Sequence, residues 1–190
     1  MDECVYSQRV TPQSHSCKSR SFLKGRDKAV VRGLHDKARQ YALRLLSYRG
    51  RSVKELEERL RKKGFPETVV SSTINHLRHV GLIDDMALAE ALKREAMTNK
   101  LLGRDGVRRF MVNRGIPREI VDLMINTDET EEIENAGKLI DKKLRAIRNY
   151  PSEIAKRRLY NLLLRKGYSF DTIKMVLKDR NFKEVERLRR

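Results

Sequence analysis

The sequence is poor in cysteine and in long apolar runs. Its two cysteines, Cys4 and Cys17, are too few for a disulfide framework, so we expect a reducing compartment. No apolar run approaches the roughly 18 residues that a membrane helix requires. Residues 1–10, MDECVYSQRV, are acidic and lack an apolar core, which argues against a secretory signal peptide. These absences together favour a cytoplasmic protein without a membrane segment.

Motifs for catalysis and metal binding are also missing. The chain has no Walker A loop, no GxGxxG after a strand, no HExxH and no GxSxG. His76 and His79 lie three residues apart on a predicted helix, but two histidines make an incomplete metal site. Glu55, Glu57 and Glu58 fit a solvated helix face with one capping role. We therefore expect no enzyme activity, no cofactor and no metal.

Positive charge is what the sequence has in excess. Lysine and arginine number 43 against 26 acidic residues, which gives a formal net charge of +17. Such a charge favours a nucleic acid, an anionic surface or an acidic protein as the partner. Aromatic residues are only 6% of the chain, so stacking on nucleic acid bases is weakly supported.

A basic residue, a glycine and a bulky apolar residue follow one another at three nearly equidistant places. The glycines are Gly64, Gly115 and Gly167, which lie 51 residues (64 to 115) and 52 residues (115 to 167) apart. Apolar residues precede them in register, as the pairs Leu56/Leu60, Val107/Met111 and Leu159/Leu163. A shared period of about 50 residues is typical of a helical repeat array.

One repeat contains the signals of three short helices. Apolar residues at helical spacing over 38–46 predict the first helix. Ser52 begins the second helix as its cap, with the Glu55 carboxylate reaching back in a capping box. Gly64 predicts a left-handed stop, and Pro66 suits the first turn of the third helix. We expect an all-α fold, an elongated array of three tandem three-helix repeats.

The expected domain boundaries follow from this pattern. Residues 1–35 are predicted to be a mobile basic arm with a short ordered piece at 29–34, either a solvated tail or an electrostatic tether. The repeats span 36–82, 83–127 and 128–178, and the last opens with the acidic connector TDETEEIE over 127–134. Residues 99–106 are interpreted as a loop, and 179–190 as a C-terminal tail.

Four strings in these repeats resemble a known family. They are YALRLLSYRGRSVKELEERLRKKGF, GLIDDMALAEAL, GVRRFMVNRGIPREIV and RRLYNLLLRKGYSFDTIKMVL. They resemble the signature of the RecX family, bacterial regulators of the RecA recombinase. The resemblance covers residues 37–178 and leaves out the arm. Phe110 and Met111 depart from the Ile or Leu followed by an acid that is common in the family.

The resemblance implies a function as well as a fold. It implies a non-enzymatic protein in DNA repair by homologous recombination and in the SOS response. Such a protein would bind RecA, lodge in the groove of the RecA–DNA filament across adjacent protomers and restrain filament growth. Strand exchange, ATP hydrolysis and co-protease action by RecA would fall as a consequence.

Charge and periodicity, rather than the resemblance, select the candidate binding residues. We expect the second helices of the repeats to contact the partner through Arg59, Lys62, Lys63, Arg104, Arg108, Arg109, Arg157, Arg158 and Arg165. Lys63 shares its repeat position with Arg114 and Lys166, where helix-end stabilisation of about 0.3–1 kcal/mol is an alternative explanation. Direct binding to single- or double-stranded DNA is the alternative function, and an adaptor for another acidic protein is a third. We expect a monomer.

Overall fold

The computed structural model describes residues 20–125, 129–147 and 150–179, and every regular element in these ranges is a helix. In chain order they are α1 (Arg20–Tyr48), α2 (Val53–Lys62), α3 (Glu67–His79), α4 (Asp85–Thr98), α5 (Arg104–Asn113), α6 (Arg118–Met124), α7 (Glu129–Ile147), α8 (Ser152–Lys166) and α9 (Phe170–Asp179). The predicted all-α class is confirmed. In the same ranges, none of the helices is long and apolar enough to cross a membrane.

Each set of three consecutive helices encloses its own apolar core. One core joins α1, α2 and α3, a second joins α4, α5 and α6, and a third joins α7, α8 and α9. The pairs predicted from the repeat are at the centre of these cores and are at most 3% exposed: Leu56/Leu60, Val107/Met111 and Leu159/Leu163. The predicted array of three tandem three-helix repeats is confirmed.

The turn that follows each second helix is as predicted. Gly64, Gly115 and Gly167 have φ values of +91°, +79° and +83°, in the left-handed region that residues with a Cβ rarely adopt. In each case the basic residue and the glycine end the helix, and the next residue returns its N–H to a carbonyl of the last turn. The chain is thereby redirected to α3, α6 or α9.

The start of α2 corrects one detail of the capping box. The Ser52 hydroxyl accepts a hydrogen bond from the Glu55 N–H at 3.2 Å, as predicted. The Glu55 carboxylate, however, is bonded to the guanidinium groups of Arg49, at 2.6 Å, and Arg51. Charge-assisted hydrogen bonds to two guanidinium groups are stronger than one to a neutral amide, which explains the difference.

Two boundaries differ from those predicted. Residues 20–35 form the beginning of α1, where the sequence predicts a mobile arm. The helix can extend this far because no proline lies between Pro12 and Pro66. Helix α5 begins at Arg104, inside the predicted loop over 99–106, with Gly106 in its first turn. The remainder of the arm and the tail after residue 179 lie outside the described residues. We keep 36–82, 83–127 and 128–178 as the proposed bounds of units 1, 2 and 3.

Candidate partner-binding surface

The second helices α2 and α5 meet end to end at the contact between units 1 and 2, which we call the first joint. The Ser52 hydroxyl, before α2, donates to the carbonyl of Arg114, after α5, at 2.7 Å. The Arg114 guanidinium donates back to the Gly50 carbonyl at 3.0 Å. The Val53 N–H, in the first turn of α2, donates to the Asp85 carboxylate at 3.0 Å. The first joint therefore depends largely on side chains.

Helices α5 and α8 meet in the same way at the second joint, between units 2 and 3, but here the backbones themselves are in contact. The Gly103 and Asp105 N–H groups donate to the carbonyls of Lys166 and Gly167 at 3.1 and 3.0 Å. A Cβ on Gly106 would lie 2.0 Å from the Lys166 carbonyl oxygen. Only glycine permits this approach, which is why a glycine occupies the first turn of α5.

Side chains close the second joint on both sides of this backbone contact. The buried Tyr168 hydroxyl donates to the Leu101 carbonyl at 3.1 Å, and the Lys166 ammonium donates to the Lys100 carbonyl at 2.8 Å. Leu101 has a φ of +48° and is buried in the core of unit 3, although it precedes α5 of unit 2. A leucine is strained in this conformation, and its burial across the joint holds it there.

Both joints obey one rule. The basic residue and glycine after a second helix dock on the first turn of the second helix of the preceding unit. The positive N-terminal end of one helix dipole therefore meets the negative C-terminal end of the next, which is favourable. The three second helices are aligned head to tail, and Lys63–Gly64 of unit 1 is the copy of this turn that docks on no other unit in the described part of the chain.

All nine candidate cations are exposed on or beside the second helices. Arg59, Lys62 and Lys63 lie on α2 and its last turn, Arg104, Arg108 and Arg109 on α5, and Arg157, Arg158 and Arg165 on α8. In the repeat register only Lys62 and Arg165 are equivalent, since each lies two residues before the glycine of its unit. The second helices are therefore basic, but the repeat does not place these cations on one common stripe.

Some of the nine are already engaged within the molecule. Arg108 forms an ion pair with Asp122 at 2.5 Å, and Arg109 donates to the Arg165 carbonyl at 3.3 Å across the second joint. The Arg158 guanidinium lies 3.8 Å from the centre of the Tyr150 ring, and the Lys63 ammonium lies 5.8 Å from that of Tyr41. Arg109 and Arg165 are the pair of candidates that these contacts bring together.

Other candidates are free to meet a partner. Within the described part of the chain, no side chain pairs with Arg59, Lys62 or Arg157. The side chain of Arg104 is likewise unpaired there, although its backbone N–H donates to the Glu132 carboxylate at 3.1 Å. These exposed guanidinium and ammonium groups are the best placed of the nine to pair with an anionic surface.

The sequence did not reveal the role of Arg114 and Lys166 in the joints. Both share the repeat position of Lys63, and helix-end stabilisation was the structural alternative for all three. Burial and the nearby Arg49 lower the pKa of Arg114. Burial, and then the positive charges of Lys100, Lys143 and Lys142, lower the pKa of Lys166. The glycines at the start of α5 were the signal that two backbones meet there.

Two acidic groups at the joints, one half-buried and one buried, have raised pKa values and make contacts between units. Burial raises the pKa of Asp85 above its usual range, against the hydrogen bond from the Val53 N–H, which lowers it. Burial also raises the pKa of Tyr168, with a further contribution from Glu132. Among the described residues, no three His, Cys, Asp or Glu side chains are grouped to hold a metal ion. His76 and His79 are both exposed on α3.

The chain is an array of small helical units whose second helices are basic and exposed. This architecture is typical of helical repeat proteins that bind a partner along an extended surface. Comparison with known proteins identifies the family within this class. The family model "RecX, first three-helix domain" matches residues 38–77, and "RecX, third three-helix domain" matches residues 129–177. These two segments correspond to most of units 1 and 3.

Curated relatives and solved structures agree with this match. The "Regulatory protein RecX" of Streptomyces coelicolor is 35% identical over 70% of this chain and 72% of its own length. That of Chlorobaculum tepidum is 32% identical over 77% of this chain and 89% of its own length. The crystal structure of RecX from Lactobacillus salivarius superimposes with a TM-score of 0.66 at 27% identity, covering 77% of this chain and 96% of that one. This chain belongs to the RecX family of regulatory proteins.

Proposed function

We propose that this chain is a non-enzymatic regulator of the RecA recombinase that binds the RecA–DNA filament as a cytoplasmic monomer. Membership of the RecX family is the observation that carries the proposal, since the relatives are named regulatory proteins. We infer RecA as the partner from the resemblance of four sequence segments to the RecX family. The exposed cations of the second helices give the molecule a surface suited to an acidic filament.

The proposed mechanism is restraint of the filament by occupation of its groove. Three units joined in one array contact adjacent RecA protomers together, so each unit raises the effective concentration of the next. Occupied protomers no longer allow the filament to extend. Strand exchange, ATP hydrolysis and co-protease action then decline because each requires an extended filament.

The ATPase activity of RecA on single-stranded DNA tests this proposal. Adding this protein in sub-stoichiometric amounts should lower the rate markedly, because one molecule at a growing end prevents many later additions. Coating the DNA with this protein alone, before RecA is added, should not reproduce the effect. An unchanged rate at stoichiometric amounts would overturn the proposal.

The free cations give a test of the proposed surface. Reversing Arg59, Lys62 and Arg157 to glutamate should weaken filament binding by roughly tenfold, since exposed ion pairs contribute about 0.2–1 kcal/mol each. The matched control reverses Arg39, Arg94 and Lys178, exposed cations on first and third helices. Equal losses for both triple variants, with native circular dichroism, would show that net charge rather than this surface matters.

Direct nucleic-acid binding is a second candidate, favoured by Lys142 and Lys143, which are exposed on α7 and whose positive charges act on Lys166 at the second joint. Phosphate binding there should weaken steeply with salt, by a log–log slope of about −0.9 per duplex contact. Lys142→Gln should reduce this slope by about one contact. Tight DNA binding of this kind, together with an unchanged RecA ATPase rate, would favour this second function over the first.

A further inference from the structure

An open groove of about 580 Å³ lies between α7 and α8 of unit 3. Three cations line it: Lys143 from α7, and Arg158 and Arg165 from α8. All three are exposed, and no acidic residue lines the groove. The Tyr150 ring, 3.8 Å from the Arg158 guanidinium, restricts that side chain before any ligand arrives. The groove thus presents positive charge that no lining residue neutralises.

Aliphatic side chains form the rest of the groove. Ile147 and Leu162 are half-buried there, and Leu164 is 50% exposed. In the repeat register, Leu162 and Leu164 correspond to Arg59 and Arg61 of unit 1. The combination of apolar surface and cations is therefore a property of unit 3 rather than of the repeat.

We propose that this groove binds an acidic amphipathic segment of a partner protein. Aliphatic side chains on one face of the segment would cover Ile147, Leu162 and Leu164, and carboxylates beside them would meet Lys143, Arg158 and Arg165. Helix-in-groove recognition of this kind combines apolar anchors with charges at the rim. The groove shares Arg158 and Arg165 with the nine candidate cations but none of the free cations Arg59, Lys62 and Arg157, and the peptide test below does not require RecA.

Charge complementarity favours a peptide over a nucleic acid as the occupant. A phosphate backbone would satisfy the three cations, but it would cover an aliphatic surface with charged oxygens and so lose their hydration. Unstacked bases bind best to aromatic side chains, and none lines this groove. Leucine or isoleucine side chains of a peptide bury the same surface favourably.

The test uses a fluorescent synthetic peptide of about 15 residues with leucines at helical i, i+3, i+4 and i+7 spacing and glutamates on either side. Leu164→Ser and Lys143→Glu should each weaken its binding by about tenfold. Leu123→Ser and Lys178→Glu are the matched controls, since Leu123 is 68% exposed on α6 and Lys178 is exposed on α9. The controls should change affinity less than twofold.

Three further measurements decide the outcome. A peptide of the same composition in scrambled order, and one with glutamine in place of glutamate, should both bind at least tenfold more weakly. Peptide-induced methyl shifts in the unmodified protein should be largest at Leu162 and Leu164, which avoids any dependence on the variants. The proposal is wrong if the scrambled peptide binds equally well or if the methyl shifts lie elsewhere. It is also wrong if Leu164→Ser lowers the affinity for an oligothymidine as much as the affinity for the peptide.

Discussion

Gly64 and Gly115 occupy the same position of the repeat, yet they should respond differently to alanine. Both have φ in the left-handed region, so each substitution should cost about 1–2 kcal/mol in backbone strain. A Cβ on Gly64 would meet nothing within 4 Å, whereas one on Gly115 would lie 2.5 Å from the Ser52 hydroxyl. We expect Gly115→Ala to lower the free energy of unfolding by at least about 1 kcal/mol more than Gly64→Ala.

Urea denaturation of the two variants measures this difference in the free energy of unfolding. Because the backbone strain is common to both variants, the difference reports on the contact of Gly115 with Ser52 at the first joint. Gly33→Ala provides a reference of opposite sign, since a Cβ there meets nothing within 4 Å and alanine favours a helix. Equal destabilisation by Gly64→Ala and Gly115→Ala would mean that the Ser52 contact with Arg114 does not hold the units together.

Asp85 should make stability depend on pH. Its pKa is raised in the folded state, so the fold favours the neutral carboxyl. The corresponding stability is present below the unfolded pKa of about 3.9 and is lost as pH rises through the higher folded value. Asp85→Asn keeps an oxygen to accept from the Val53 N–H but cannot ionise. Relative to the unmodified protein, we therefore expect the variant to gain stability between pH 3 and pH 7.

Thermal unfolding of both proteins across that pH range gives the measurement. The melting temperature of Asp85→Asn minus that of the unmodified protein should become more positive as pH rises. A difference that is the same at pH 3 and pH 7 would show that the ionisation of Asp85 has no part in the first joint.

At the residue scale, the sequence predicted the local features that depend on residues close by in the chain. Ser52 was predicted to cap α2, and Gly64 to end it, because each acts within four residues. The second hydrogen bond of Ser52, to the Arg114 carbonyl 62 residues away, could not be predicted, since no local pattern indicates which helix end it meets.

At the scale of elements, α5 differs from α2 and α8 because a neighbouring unit contacts each of its ends. The Lys166–Gly167 turn of unit 3 accepts hydrogen bonds from the N-terminal end of α5. At the C-terminal end of α5, the Arg114 carbonyl accepts a hydrogen bond from Ser52 of unit 1. Apolar spacing predicted this helix from Val107 onward. Its first turn was predicted to be loop because two glycines there are poor helix formers, and the tertiary contact that requires Gly106 overrides that preference.

Tyr168→Phe tests how strongly the second joint holds these elements together. The substitution removes the hydroxyl that donates to the buried Leu101 carbonyl and leaves that carbonyl without a partner. We expect a loss of about 1–3 kcal/mol in the free energy of unfolding.

Tyr160→Phe is the matched control for this experiment. Tyr160 lies on the same unit, with its ring edge-on to Phe170, and its hydroxyl makes no hydrogen bond within the described residues. Its substitution should change the free energy of unfolding by less than about 0.5 kcal/mol. Comparable losses for the two variants would contradict a specific role for the Tyr168 hydroxyl.

At the scale of the whole molecule, the separate cores predict that damage remains local. Leu60 is fully buried in unit 1, and Leu60→Ala should cost about 2–5 kcal/mol there. In an array whose units contact only their neighbours, that loss falls first on the unit concerned. Hydrogen exchange should therefore show lost protection in α2 and α3, with α8 and α9 largely unchanged.

Leu163→Ala should give the reverse pattern, because Leu163 is fully buried in the core of unit 3. Protection would then fall in α8 and α9 and persist in α2 and α3. A uniform loss along the chain for both variants would mean that the three units unfold as one cooperative body.

The whole array was predictable because the three glycine turns recur at a period of about 50 residues. The exposed cations were predictable because lysine and arginine are abundant on the second helices. Their division into free and engaged groups was not, because Asp122, Tyr150 and the Arg165 carbonyl approach them only in the folded chain. The groove of unit 3 was also missed, since the apolar spacing of α8 does not show that Leu162 and Leu164 remain partly uncovered beside Lys143 of α7.

The joints give the array a direction. Each joins a turn on one unit to a helix start on another, so a row of units has two unlike ends. At one end, the Lys63–Gly64 turn docks on no other unit in the described part of the chain. At the other, α8 begins at Ser152, about one turn earlier than the register requires, and the Ala155 N–H already donates to the Pro151 carbonyl. The array therefore carries an unused docking turn at unit 1, whereas the helix start of unit 3 is shifted by about one turn from the position that such a turn meets in units 1 and 2, as in a polymer whose two ends differ.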